Sequence, residues 1–283
     1  MENSPIIKIR PIGFQWETHD PFLFCAHHLD KYPAGNDDLG PSTGTHGRNI
    51  GNDFTLRDGW RMYHGDRVPG FPVHPHRGFE TITVVLEGFV DHADSMGAAG
   101  RYGQGDTQWM TAGSGVQHSE MFPLLNKTEE NPLELFQIWL NLPKAKKMSK
   151  PYFTMLWADK IPSYHSKDSK GKITDISIIA GTIHGTKAVS PPPDSWAADP
   201  NNEVAVWTIT MEPGAEFILP PASEFCNRTL YFHKGNSLTI GKTGIEMNHA
   251  IDLIPDAETV LRNGNKESRL LLLQGRPINE PAV

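Results

Sequence analysis

Two short stretches hold the side chains best suited to gripping a metal ion. "HPHRGFETITVVLEG" opens with His74 and His76 on either side of Pro75; forty-two residues after His76 comes "HSE", with His118 and Glu120. Side chains on a strand alternate faces, so the two members of each pair point the same way. Pro75 faces the other way and donates no backbone hydrogen bond, which suits a strand start or edge. Two neighbouring strands, each offering one pair, can close a set of three imidazoles and one carboxylate. Such mixed nitrogen and oxygen ligation suits Fe, Mn, Ni, Cu or Zn. Four protein ligands leave two positions of an octahedron for water, dioxygen or a chelating substrate. A structural zinc site would more often be closed and use cysteine, and neither Cys25 nor Cys226 falls inside the pattern. Gly113 and Gly115 let the backbone turn tightly beside the second pair. Glu80, four residues after His76 and read onto the same strand face, is a second candidate carboxylate.

Other groups give weaker signals. "DHAD" (Asp91, His92, Asp94) reads as a polar strand edge, with a second metal site as the alternative. His27 and His28 are adjacent, point to opposite faces and read as rim or core. Trp109, Met110 and Phe136 are expected to wall the site with apolar surface. His233 has no partner at a spacing of two, so the second half of the chain reads as metal-free.

The elements that must position these groups are short. Runs such as "ETITVVLEG", "DTQWMTAG", "LELFQIWLNLP", "EVAVWTITM" and "RLLLLQG" are each bounded by Gly, Pro, Asn or Asp, the pattern of an all-β sandwich or barrel. Helix is expected to be minor, near "SEMFPLLNKTEE" or "LWADKIP". A weak repeat relates "TITVVLEG" (81–88) to "NRTLYFHKG" (227–235), "GDTQWMTAGSGVQHSE" (105–120) to "AIDLIPDAETVLRNG" (250–264), and "LELFQIWLNLP" to "SRLLLLQGRP". Strand, glycine turn, strand, turn and strand recur in that order. Two tandem barrels are therefore expected, 1–150 binding the metal and 151–283 metal-free. Residues 30–68 form a Gly-, Asn- and Asp-rich insertion, read as a rim over the histidines or an exposed loop. "PPPDSW" reads as a stiff connector.

The 283 residues are 38% hydrophobic and 21% charged, with a formal net charge of −7. The acidic balance argues against direct nucleic-acid binding, and the basic stretch Lys144 to Lys150 reads as a solvated loop. No apolar run is long enough to span a membrane. The start lacks the charged and apolar regions of a secretion signal, so a cytoplasmic location with reduced thiols is expected.

"HPHRGFETITVVLEG", "DHADSMGAAGRYGQGDTQWMTAGSGVQHSEMFP" and "LELFQIWLNLP" resemble the signature of the pirin family, within the cupin superfamily. The resemblance covers roughly residues 70–143 closely. It implies two double-stranded β-helix barrels (a bicupin) face to face, with metal in the first alone. It implies His74, His76, His118 and Glu120 as ligands of one iron ion, Fe(II) or Fe(III), with Glu120 preferred over Glu80. Glu80 would then orient a ligand imidazole or pair with Arg77. Family members are described as nuclear transcription cofactors in eukaryotes, and several open flavonols such as quercetin with dioxygen. The expected function is thus an iron-dependent dioxygenase of flavonol-like molecules, with Glu120 also taking the substrate's hydroxyl proton. The alternative is an iron-containing regulatory protein that binds a protein partner in a redox-dependent way.

Overall fold

The computed structural model describes residues 4–281; Met1–Asn3 and Ala282–Val283, the outer ends of the two expected domains, lie outside it. Twenty strands of three residues or more are present among the described residues. In the first half they are β1 (Ile6–Pro11), β2 (Phe22–Tyr32), β3 (Gly70–His76), β4 (Phe79–Glu87), β5 (Phe89–Asp94), β6 (Ala99–Gly103), β7 (Thr107–Thr111), β8 (Val116–Met121), β9 (Asn131–Asn141) and β10 (Tyr152–Leu156). In the second half they are β11 (Ser163–Lys167), β12 (Ile173–Ala180), β13 (Ala205–Met211), β14 (Glu216–Leu219), β15 (Asn227–Lys234), β16 (Leu238–Ile240), β17 (Thr243–Ile245), β18 (His249–Leu253), β19 (Thr259–Asn263) and β20 (Ser268–Gly275).

Among the described residues helix is confined to two 3₁₀ turns, Trp196–Ala198 and Pro200–Asn202, about 2% of the chain. Neither stretch expected to be helical is so. "SEMFPLLNKTEE" continues β8 to Met121 and then runs irregularly, and "LWADKIP" turns after β10. Pro123 and Pro162 bias the residues before them away from helix. The turns form where capping chemistry is local: Ser195 Oγ accepts from Ala197 N–H, Asp199 Oδ1 accepts from Asn201 N–H, and Pro200 opens the second turn.

The chain divides into two compact units. One is Cys25–Ala158; the other joins the described parts of Met1–Phe24 and Asp159–Val283. The N-terminal strand thus belongs with the C-terminal half, a pairing that no local pattern announces. β1 pairs antiparallel with β18, Ile9 opposite Ile251 and Arg10 opposite Ala250. The Arg10 guanidinium donates to both oxygens of Asp252, at 3.1 and 2.7 Å.

Each unit is a double-stranded β-helix barrel. In Cys25–Ala158, a sheet ordered β10-β7-β4-β9-β2 accompanies one ordered β3-β8-β5-β6. Residues 30–68 carry their own packed framework rather than forming a bare insertion. The buried Arg48 guanidinium lies 3.4 Å over the Trp60 ring and donates to Asp53 Oδ2 and to the carbonyls of Gly44, Arg57 and Trp60. Tyr63 donates to Asp30 Oδ2 at 2.5 Å, and its ring reaches Phe71 at 5.2 Å between centroids.

The second unit pairs a sheet ordered β1-β18-β15-β20-β13-β12-β11 with one ordered β14-β19-β16-β17. Most of its interior is apolar, filled by Trp207, Phe217, Leu219, Phe232, Leu261, Leu272 and their neighbours. The internal repeat can be superposed through its bulges. In β4 the register skips Leu86, and in β15 it skips His233, each two residues before a left-handed glycine, Gly88 or Gly235. That register makes the pair Thr81:Trp139 equivalent to Arg228:Gln274. It also makes Ile82:Trp109 equivalent to Thr229:Asp252. Seven residues beyond Trp109, Val116 faces His76; seven beyond Asp252, Thr259 faces Leu219. The positions of His74, His76 and His118 are therefore taken in the second barrel by Phe217, Leu219 and Leu261, and that of Glu120 by Asn263.

Candidate metal centre

β3 and β8 lie side by side and antiparallel, with His74 directly opposite His118. A register shift between Phe71 and His74 tightens β3 just before the site. His74 Nε2 lies 3.1 Å from both His76 Nε2 and His118 Nε2. The three rings stand 4.6 to 4.8 Å apart between centroids. His74 Nδ1 is 2.8 Å from the Pro72 carbonyl. A carbonyl only accepts, so Nδ1 donates to it and Nε2 is the nitrogen that turns inward. His76 and His118 are buried, and burial, reinforced by the neighbouring imidazoles, pushes each pKa down to about 3. Both rings are neutral at ordinary pH. Three converging imidazole nitrogens, two of them on buried neutral rings, are a donor set that a borderline divalent cation fits.

Glu120 is beside them. Its Oε2 lies 3.7 Å from His118 Nε2, and its Oε1 accepts from Thr83 Oγ1 at 3.0 Å. Thr83 Oγ1 also lies 2.8 Å from Gln137 Oε1. The buried Tyr102 phenol is held well above its usual range by burial and then by the charge of Glu120, so it stays neutral there. The structure thus brings His74, His76 and His118 together and sets Glu120 next to them.

Glu80 is elsewhere. Gly78, at φ +78°, breaks the chain between β3 and β4, so Glu80 does not share a strand with His76. Directly opposite residues share a face. Thr81 and Thr83 face the same way as Trp139 and Gln137, and Glu80 therefore faces away, buried and accepting from Thr111 Oγ1 at 2.6 Å. The same parity divides the expected apolar wall. Met110 lies opposite Thr81 and shares the site's face, whereas Trp109 lies opposite Ile82 and Phe136 opposite Val84, on the other face. The aromatic wall comes instead from Phe79 and Trp139, whose ring centroids lie 5.2 and 5.5 Å from that of His76. Alternation along "FETIT" and "FQIWL" is the signal that finds Phe79, Thr83, Gln137 and Trp139.

The acidic groups of "DHAD" do not converge on one point. Asp91 pairs with Arg101, while Asp94 accepts from His92 at 2.9 Å and from the backbone of Met96 and Ala98. His92 does bear on the centre: it lies opposite Glu120, with its ring 5.3 Å from that of His118. His28 is core, packed against Tyr63, Phe71 and Phe122, and burial pushes its pKa down to about 3. His27 turns the other way and stacks on Phe136 at 4.9 Å. Cys25 and Cys226 are both free and buried. Among the described residues, no helix is long and apolar enough to cross a membrane.

Comparison with known proteins places these features in a family. The Pirin sequence profile matches residues 8–140, and that of the Pirin C-terminal cupin domain matches 206–283. A Pseudomonas aeruginosa protein named "Putative quercetin 2,3-dioxygenase" is 35% identical over 216 residues, 76% of this chain and 70% of that one. Pirin of Homo sapiens is 32% identical over 227 residues, 78% of this chain and 71% of that one. Among solved structures, a quercetin 2,3-dioxygenase from Acinetobacter baumannii matches 98% of this chain and 88% of its own, with a TM-score of 0.73 and 24% identity. A bacterial pirin from Escherichia coli in complex with nickel(II) matches 91% of this chain and 83% of its own, with a TM-score of 0.55 and 19% identity. With both of its domains matched in order and the bicupin fold shared, the chain belongs to the pirin family.

Proposed function

We propose that this protein is an iron-dependent dioxygenase of flavonol-type substrates, with the metal held by His74, His76, His118 and Glu120. The observation that carries the reading is the convergence of three imidazole nitrogens beside a carboxylate that Thr83 already holds in place. The relatives and the solved structure named for quercetin 2,3-dioxygenase support the choice of substrate.

Bound iron would supply a Lewis acid and a path for electrons between an enolised substrate and dioxygen. The remaining work falls to the chain. His74 is only half-buried whereas His76 and His118 are buried, so a substrate approaches from the His74 side. Phe79 and Trp139 offer flat apolar surface to an aromatic ring system. Glu120 receives the substrate's hydroxyl proton, and Thr83 fixes the rotamer from which it does so. Tyr102, kept neutral, adds no competing charge. The free cysteines fit a reducing cytoplasm.

Metal analysis of the purified protein distinguishes iron from Mn, Ni, Cu or Zn. Oxygen consumption with quercetin is then compared for the iron-loaded protein, the metal-free protein and His118→Ala. The iron form alone should consume oxygen above background. Equal rates in all three would mean autoxidation and would overturn the enzymatic reading.

A further inference from the structure

The second barrel holds a cavity of about 320 Å³ at one end of its interior, walled in part by Trp207, Val204, Pro191, Pro200 and Pro221. Two inward-facing polar side chains reach it, Arg228 on β15 and Gln274 on β20. They lie directly opposite each other, and Arg228 shares the inward face of Leu230 and Phe232. Both are buried, at 3% and 7% exposure. Neither is satisfied. Among the described residues, Arg228 donates one long hydrogen bond, from Nη1 to the Pro255 carbonyl at 3.4 Å, and its buried Nε has no partner. Gln274 donates from Nε2 to the Glu203 carbonyl at 3.2 Å, which fixes the amide and leaves the buried Oε1 without a donor.

A buried guanidinium with an idle Nε costs stability unless something offsets the loss. The other charges near the cavity do not do so. Asp199 is engaged in capping Asn201, and Glu203 Oε2 accepts from Ser223 N–H. Glu203 acts on Arg228 only through its field, without an ion pair, and Lys187 is exposed. Burial lowers the Arg228 pKa to about 10, so the group is charged at neutral pH.

The location adds a second argument. Arg228:Gln274 is the equivalent of Thr81:Trp139, the pair beside the histidines of the first barrel. The end of the barrel that gathers imidazoles in the first unit presents a guanidinium and an amide oxygen in the second. Phe217, Leu219 and Leu261 fill the histidine positions beside them.

We infer that the second barrel has its own ligand site, which binds a small organic acid bearing a hydroxyl next to its carboxylate on an apolar body. Both atoms are covered by protein, so the two side chains turn toward the cavity to take the ligand: the carboxylate then meets the Arg228 fork, the hydroxyl donates to Gln274 Oε1, and the body lies against Trp207 and the prolines. The cavity volume suits a molecule of about ten to twenty non-hydrogen atoms. The site needs no metal and does not depend on the activity proposed for the first barrel.

The test is calorimetric titration of the full chain with salicylate, benzoate and phenol. Salicylate can also chelate a metal, so the titrations use His118→Ala, stripped of metal. Saturable 1:1 binding of salicylate is expected, with phenol at least about tenfold weaker for want of the charged contact. Arg228→Met should weaken salicylate by at least about tenfold, and Gln274→Leu should lower salicylate to the level of benzoate. If Arg228→Met does not fold, Arg228→Lys, which keeps the charge and loses the fork, should show the same direction of loss. Absence of saturable salicylate binding to the stripped protein, or unchanged affinity in the Arg228 variant that folds, overturns the inference.

Discussion

The Thr83 hydroxyl touches Glu120 and Gln137 at once, so Thr83→Val removes the polar link while keeping the shape. Metal affinity should fall by about tenfold or more, as it does when a group that orients a ligand is lost, and equilibrium dialysis against iron measures it. The two carboxylates should separate sharply. Glu120→Ala should strip most of the metal, whereas Glu80→Gln, on the far face and bonded to Thr111, should retain it. The opposite pattern in metal analysis would exchange their roles. Away from the centre, Asp30 gives a pH signature. Burial raises its pKa from 3.8 to about 6, against the hydrogen bond from Tyr63 and the charge of Arg61. Between those two values the folded chain holds a proton that the unfolded chain has released. Its contribution to stability is therefore fully present below 3.8 and is lost as pH rises to about 6. Asp30→Asn should flatten that part of the curve, read as the difference between the urea midpoints of the two proteins across the window.

The turn between β7 and β8 delivers His118 to its place, and it depends on backbone that glycine alone tolerates. Gly113 has φ +51°, and a Cβ added there would come within 2.2 Å of the Ser149 carbonyl oxygen. Gly113→Ala should lower the thermal midpoint by several degrees, at a cost of roughly 1–3 kcal/mol, and reduce metal content with it. Strand-level features are legible where the signal is short-range. The paired spacings bring His74, His76 and His118 together, with Glu120 beside His118, because strand alternation is strict. The same rule accounts for the misses. Trp109 and Met110 are neighbours and cannot both face the site. Counting from His76 to Glu80 runs the strand through Gly78, where a left-handed glycine ends it. The expected helices fail because apolar periodicity in "SEMFPLLNKTEE" is too brief to outweigh its proline.

At the scale of the chain, β1 is the feature local reading cannot reach, since its partner lies at the other end of the sequence. A fragment of 151–283, the second domain as the sequence suggests it, would lack β1 and leave β18, which carries Ile251 and Leu253, as an open edge. It should aggregate, whereas a chain that supplies Ile6–Pro11 with 159–283 should stay dispersed; light scattering of the two tells them apart. The same arrangement bears on synthesis. Cys25–Ala158 is continuous and can collapse as soon as it is made, but Arg10 must wait for Ala250, 240 residues behind it. At ribosomal speeds that delay is on the order of 10–50 s. Throughout it β1, with Ile7 and Ile9 among its side chains, remains a strand without a sheet. A segment made before the first barrel is placed only after it, and a nascent chain stalled at mid-length would offer that unpaired edge to any neighbour.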